Sequence, residues 1–198
     1  LGHILEMVEK GRYFTINRPR QYGKTTMLAT LNDALSNSSA YLPIRMNFQG
    51  IDSKWHETDA AFAQMVLNHM KTTLEYQDKQ LFEVIREKEA EADGMDGLSR
   101  LITHLAHRSK KKLVLLIDEV DASSNYWPFL RFLGMLRSKY LDRFSPQHAT
   151  FHSVVLAGVH DVKSLKSRIR PGEDNTGQYN SPWNIAADFK VTMSFLPE

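Results

Sequence analysis

The chain of 198 residues contains no cysteine, which excludes disulfides and thiolate zinc sites and leaves the redox compartment undetermined. No apolar run approaches the roughly 18 residues of a membrane-spanning helix. Charge of one sign is also scarce: 25 basic against 23 acidic side chains give a formal charge of +2, too small an excess to point by itself to a nucleic-acid partner. Repeats and low-complexity segments are absent. The opening residues Leu1–Val8 lack the basic head and cleavable apolar stretch of a secretory leader, so none is expected and a cytoplasmic location is the reading. With no initiator Met and helical spacing of Ile4, Leu5 and Val8, the chain is expected to be a piece of a longer protein. What remains, 42% apolar and 24% charged, suits one compact domain with a substantial core.

The stretch that organises this domain is Thr15-Ile16-Asn17-Arg18-Pro19-Arg20-Gln21-Tyr22-Gly23-Lys24-Thr25-Thr26-Met27-Leu28. It reads as the end of an apolar strand, a tight loop closing on Gly-Lys-Thr, and the start of a helix, the layout of a phosphate-binding (Walker A) loop. Such a loop offers a polyphosphate several converging backbone N–H groups and the positive end of a helix dipole. Gly23 would let the backbone approach, Lys24 would reach the β- and γ-phosphates, and the Thr25 hydroxyl would complete a magnesium shell. The first glycine of the G-x-x-x-x-G-K-[ST] pattern is missing; Arg18 stands there, and Pro19 fixes its own φ and pushes Arg18 towards an extended backbone.

A second stretch supplies the metal side of such a site. Lys112-Leu113-Val114-Leu115-Leu116-Ile117-Asp118-Glu119 carries five consecutive apolar residues, two of them β-branched, and reads as a strand buried on both faces of a parallel sheet. Its last side chains arrive at the carboxyl edge, where α/β folds bind ligands. Asp118 would be an outer ligand of Mg²⁺ and Glu119 would polarise the attacking water. Together the two stretches point to ATP and Mg²⁺ at one sheet edge.

The rest of the pattern alternates strand and helix, which argues for an α/β, three-layer α-β-α domain with a mostly parallel central sheet of about five strands. Strands are expected at 13–17, 41–48, 113–118, 150–158 and 189–195. Helices are expected at 3–10, 24–35, 58–76, 78–92, 98–107, 126–140 and 162–169, with Gly94 and Gly97 punctuating the middle. The strand ending at Gly158 would be an additional one; inserted between the loop strand and the acidic strand, it would present His160 or Asp161 to the γ-phosphate, or His160 would simply cap the next helix. Arg168 and Arg170 are either an arginine finger for a neighbouring site or a solvated helix end. Arg18 and Arg20, lying within the loop itself, are candidates for an extra bidentate phosphate clamp, either one of them or both. Tyr13, Phe14 and Tyr22 are candidates for stacking on adenine, or core. Lys110-Lys111-Lys112 is a phosphate-contacting patch or, more simply, a solvated helix end. His104 and His107 have the spacing of a metal pair but no evident third ligand.

The segments 13–26, 114–121, 156–162 and 180–189 together resemble the bacterial AAA-ATPase-like proteins, near the STAND branch of the additional-strand P-loop ATPases. The resemblance spans nearly the whole chain, and Arg18-Pro19-Arg20 in place of the usual first glycine matches that family. It implies ATP and Mg²⁺ as ligands, bound by the loop from Arg18 through Pro19, Arg20, Gln21, Tyr22, Gly23, Lys24 and Thr25 to Thr26. Asp118 would lie on the metal and Glu119 would be the water-activating base. It further implies that residues 1–198 form an ATPase core continued elsewhere by a helical lid and often a nuclease-like segment, both absent here, so that the fragment turns over weakly. Two functions follow: hydrolysis of ATP to ADP and phosphate with nucleotide state controlling conformation, or a slow ATP-gated switch or scaffold acting through self-association or a protein partner. A nucleic-acid partner is left open but not indicated, and no membrane partner is expected.

Overall fold

A computed structural model of the chain describes residues 1–17, 23–158 and, for the backbone, 187–188. Its elements run α1 (Gly2–Glu9), β1 (Tyr13–Asn17), α2 (Lys24–Ser36), β2 (Tyr41–Asn47), α3 (Asp59–Gln77), α4 (Lys79–Lys88), α5 (Met95–Arg108), β3 (Lys112–Asp118), α6 (Trp127–Leu141), β4 (Ser153–Gly158) and β5 (Ala187–Asp188). All strand pairs are parallel, in the order β2-β3-β4-β1-β5. The additional strand β4 thus separates β1 from β3, with Asn17 opposite Gly158 and Ile117 opposite Leu156.

Side-chain alternation along the strands divides the core in two. Phe14, Ile16, Val114, Leu116, Val155 and Ala157 face one side, under Ile4, Met7 and Val8 of α1 and Leu28, Leu31 and Leu35 of α2. Leu42, Ile44, Met46, Leu115, Ile117, Val154 and Leu156 face the other, against α3, α5 and α6. Both faces of β3 are covered, so every residue from Leu113 to Asp118 is buried. This is the α-β-α layering that the strand–helix alternation implies. Thr58 Oγ1 accepts from the Ala61 N–H at 3.0 Å to start α3, and Asp78 Oδ1 accepts from Leu81 N–H at 3.1 Å to start α4.

Local details add to the expectations or differ from them. A short 3-10 turn, Ser53–His56, follows β2, set by Asp52 accepting from the Lys54 N–H. β4 begins at Ser153 rather than Thr150. The backbone at Ala187 and Asp188 pairs with β1, just ahead of the strand expected at 189–195; that segment, the 162–169 helix, His160, Asp161, Arg168 and Arg170 lie outside the described residues. Gly97 does not interrupt a helix but sits inside α5, because the helix passes so close to the preceding turn that an added Cβ would meet Glu91 O at 2.2 Å and Ala92 Cα at 2.7 Å. Alanine in a helix interior ordinarily gains about 1 kcal/mol over glycine; here the backbone contact reverses the sign, and Gly97→Ala lowers stability by about 1–3 kcal/mol in urea denaturation.

One charged group is buried between helices. Lys139 of α6 is 3% exposed, and its ammonium donates to Thr103 Oγ1 of α5 at 2.5 Å. Burial lowers its pKa from 10.5 to about 8. Below pH 8 folding must bury a charge; between pH 8 and 10.5 the folded form releases a proton that the unfolded chain retains, so stability rises with pH in that window. Denaturation of the protein beside Lys139→Met, which isolates this group from others titrating there, shows the variant's advantage greatest at pH 7 and narrowing towards pH 10.5.

Candidate functional site

The carboxyl ends of β1 and β3 open on one cleft of about 730 Å³. Gly23, Lys24, Thr25 and Thr26 line it from the start of α2, and Glu119, Asp121 and Ala122 line it from the turn after β3. Gln49 and Gly50, just past β2, close its far side. Two segments distant in sequence therefore meet where the parallel sheet brings its strand ends together.

The loop side is built by the backbone. Gly23 adopts φ 68°, ψ 22° as the residue before α2, a left-handed conformation that costs a residue with a Cβ about 1–2 kcal/mol. No acidic residue stands in the first turn of α2, so nothing on the helix itself offsets the positive end of its dipole. Lys24, only 5% exposed, stands beside that end. Of the loop residues named from the sequence, Arg18, Pro19, Arg20, Gln21 and Tyr22 lie outside the described residues, although their neighbours Asn17 and Gly23 both stand on this rim.

The acidic side is more tightly bound. Asp118 is fully buried. Its Oδ1 accepts from the Glu119 N–H at 3.0 Å, and its carbonyl accepts from the Phe48 N–H at 3.0 Å. Its Oδ2 has no hydrogen-bond partner among the described residues and faces Arg45 Nη2 at 3.8 Å. A buried carboxylate oxygen without a hydrogen bond is costly, and it lies on the sheet face that α2 covers. Asp118 is not itself among the residues lining the cleft, which Glu119 and Asp121 reach; a carboxylate and the Thr25 hydroxyl are the kinds of oxygen donor a magnesium ion takes, waters and phosphate oxygens filling its other positions. Among the described residues no three His, Cys, Asp or Glu side chains gather as a metal cage. The His104/His107 pair is not one either: His107 Nε2 donates to the Pro146 carbonyl at 2.7 Å.

Glu119 has φ 54°, ψ 44°, and among the described residues it is the one non-glycine with positive φ. The turn that imposes this is pinned by Ala122 N–H to Glu119 O at 3.1 Å and Ser124 Oγ to Asp121 O at 2.9 Å. His56, buried and stacked on Tyr126 with ring centroids 4.1 Å apart, shares a 2.8 Å hydrogen bond between its Nε2 and Ser123 Oγ. Burial lowers the His56 pKa, which keeps the ring neutral at neutral pH. From the β4 side, Gly158 approaches so closely that a Cβ would lie 2.8 Å from Asp121 Oδ2 and 2.9 Å from Val120 Cγ2.

Sequence reading missed Gln49, Gly50, Asp121, His56 and Gly158 at this site, since each depends on which elements become neighbours. Tyr13 and Phe14 are core side chains. The Tyr13 hydroxyl donates to the Phe151 carbonyl at 3.0 Å at the opposite end of the sheet, because residue 13 starts a strand whose far end reaches the cleft.

A family model described as "Predicted AAA-ATPase" matches residues 2–166. The chain belongs to the AAA-ATPase-like family. The match includes both α2 with its preceding loop and the β3 turn, so this AAA-ATPase-like domain carries a nucleotide-binding, ATPase-like fold with its cleft at the expected edge. A comparison with curated proteins found no significant match. No described helix is long and apolar enough to cross a membrane.

The strained backbone at Glu119 has a measurable signature. Glycine tolerates this conformation and alanine does not, so Glu119→Gly is more stable than Glu119→Ala by about 1 kcal/mol in paired denaturation curves. Equal stabilities would mean that the turn relaxes to negative φ.

Proposed function

We propose that the cleft binds ATP with Mg²⁺ and hydrolyses it to ADP and phosphate. The observation that supports this most directly is the convergence of Gly23–Thr26 with Glu119 and Asp121 on one cleft. The backbone N–H groups at the start of α2 would hold the phosphate tail, and the Lys24 ammonium would brace the β- and γ-phosphates. Thr25 and the Asp118 carboxylate would hold the metal. Bound Mg²⁺ would neutralise charge on the phosphate oxygens. Glu119 would orient a water and take its proton as the water oxygen attacks the γ-phosphorus in line, while the bond to the ADP oxygen breaks.

Arg18 and Arg20 would add bidentate phosphate contacts along the segment Arg18, Pro19, Arg20, Gln21 and Tyr22, and His160, following Gly158, would sense the γ-phosphate. The placement of β4 between β1 and β3 supports the additional-strand, STAND-related branch, in which nucleotide state would set the position of a helical lid continuing beyond residue 198. A nuclease-like segment would follow in the longer protein. The cytoplasm, rich in ATP and magnesium, is the setting for this activity.

Phosphate release by the protein beside Glu119→Gln tests hydrolysis: the variant keeps ATP binding and loses at least about 100-fold in rate. Equal, near-zero rates in the two would replace hydrolysis with an ATP-gated switch acting through a partner. Lys24→Ala abolishes ATP binding, followed by a fluorescent ATP analogue, while the circular dichroism spectrum is retained; unaltered affinity would remove the loop from the site.

A further inference from the structure

The amino ends of the strands form the opposite rim of the sheet, and a second cleft of about 730 Å³ lies there. The seven residues of β3 place it about 20 Å from the nucleotide cleft at roughly 3.3 Å per residue. Lys110 and Lys111 enter it from the segment between α5 and β3, Lys112 from the start of β3, and Arg143 and Phe144 from just past the end of α6. Two elements far apart in sequence thus bring cations to one place, which solvated lysines at a single helix end would not do. Lys10 also lines the cleft but is held by Glu6 at 2.6 Å. None of Lys110, Lys111, Lys112 and Arg143 forms an ion pair among the described residues. His152, whose pKa is lowered by burial and by Lys112, adds no positive charge at neutral pH.

The aromatic component separates this rim from a merely basic patch. Phe144 is 86% exposed, and the Arg143 guanidinium lies against two rings, 4.5 Å from the centre of Phe144 and 3.9 Å from that of Tyr140. Lys112 Nζ lies 5.8 Å from the Tyr41 ring. An exposed phenyl ring braced by a guanidinium, beside three lysines, offers what an unpaired nucleic-acid strand needs: cations for its phosphates and a plane for a base. An acidic peptide would satisfy the lysines but leave the ring face unmatched, and a duplex would keep its bases stacked within itself.

We infer that this rim binds single-stranded nucleic acid, with Lys110, Lys111, Lys112 and Arg143 on three or four phosphates and Phe144 stacked on a base. The site is independent of the nucleotide cleft, so its test does not depend on ATP hydrolysis. Anisotropy of a labelled 15-nucleotide oligodeoxythymidine, titrated with the chain across a salt series, shows binding whose log affinity falls with log salt at a slope of about −2 to −3 for that number of phosphates. The triple variant Lys110→Glu, Lys111→Glu, Arg143→Glu weakens binding at least tenfold. Phe144→Ala weakens it about fivefold or more without changing the slope. All the substituted side chains lie at the rim rather than in the core, and circular dichroism verifies that the variants fold. Lys24→Ala binds the oligonucleotide as the unsubstituted chain does. The inference is overturned by no binding at the lowest salt, by Phe144→Ala binding unchanged, by a duplex binding as tightly as the single strand, by polyglutamate competing as well as the oligonucleotide, or by loss of binding in Lys24→Ala.

Discussion

The candidate site depends on parallel pairing in one register. Because every strand of the described sheet runs the same way, every strand end arrives at the same edge, and side chains that follow β1, β2 and β3 become neighbours without any sequence proximity. β4 sets the spacing. By lying between β1 and β3 it moves the loop strand and the acidic strand one place apart, near 9–10 Å at ordinary strand separation, leaving room for a phosphate chain. Its own last residue must be small, since Val120 and Asp121 occupy the space where a side chain would project.

At this edge the fold accepts local costs. Asp118 is buried with one oxygen lacking a hydrogen bond, and Glu119 holds a left-handed backbone. Each is unfavourable by about 1–3 kcal/mol in isolation. They persist because rigid surroundings fix them: Phe48 on the Asp118 carbonyl, His56 on Ser123, and the apolar layers on both faces of β3. Polar groups placed in advance around a cleft do not have to be reorganised when a charged ligand arrives.

The two rims differ in character for a topological reason. Carboxyl ends deliver the acidic turn and a helix start, while amino ends receive the chain from helix ends, where lysines complement the dipole. Lys110–Lys112 obey that local rule after α5. Only the return of α6 to the same rim sets Arg143 and Phe144 beside them and turns a helix-end feature into a cleft.

Much was legible in the chain itself, because the signals were local. Five apolar residues running into Asp118-Glu119 read as a buried strand delivering acids to an edge, and Gly23-Lys24-Thr25 after Tyr13–Asn17 reads as a strand–loop–helix turn. The helices expected to begin at 58 and 78 do begin there, to within one residue, with Thr58 and Asp78 as their caps. What the sequence by itself determined was therefore the type of the main described elements and the two stretches that meet at the cleft. Tertiary structure decided the rest: that β4 separates β1 from β3, that Gly97 belongs inside a helix, that Gln49, Gly50 and Asp121 share a cleft with Lys24, and that Phe144 stays in water. Backbone periodicity reports which face of an element is apolar, but not which other element will cover it; that choice is made by packing between residues remote along the chain.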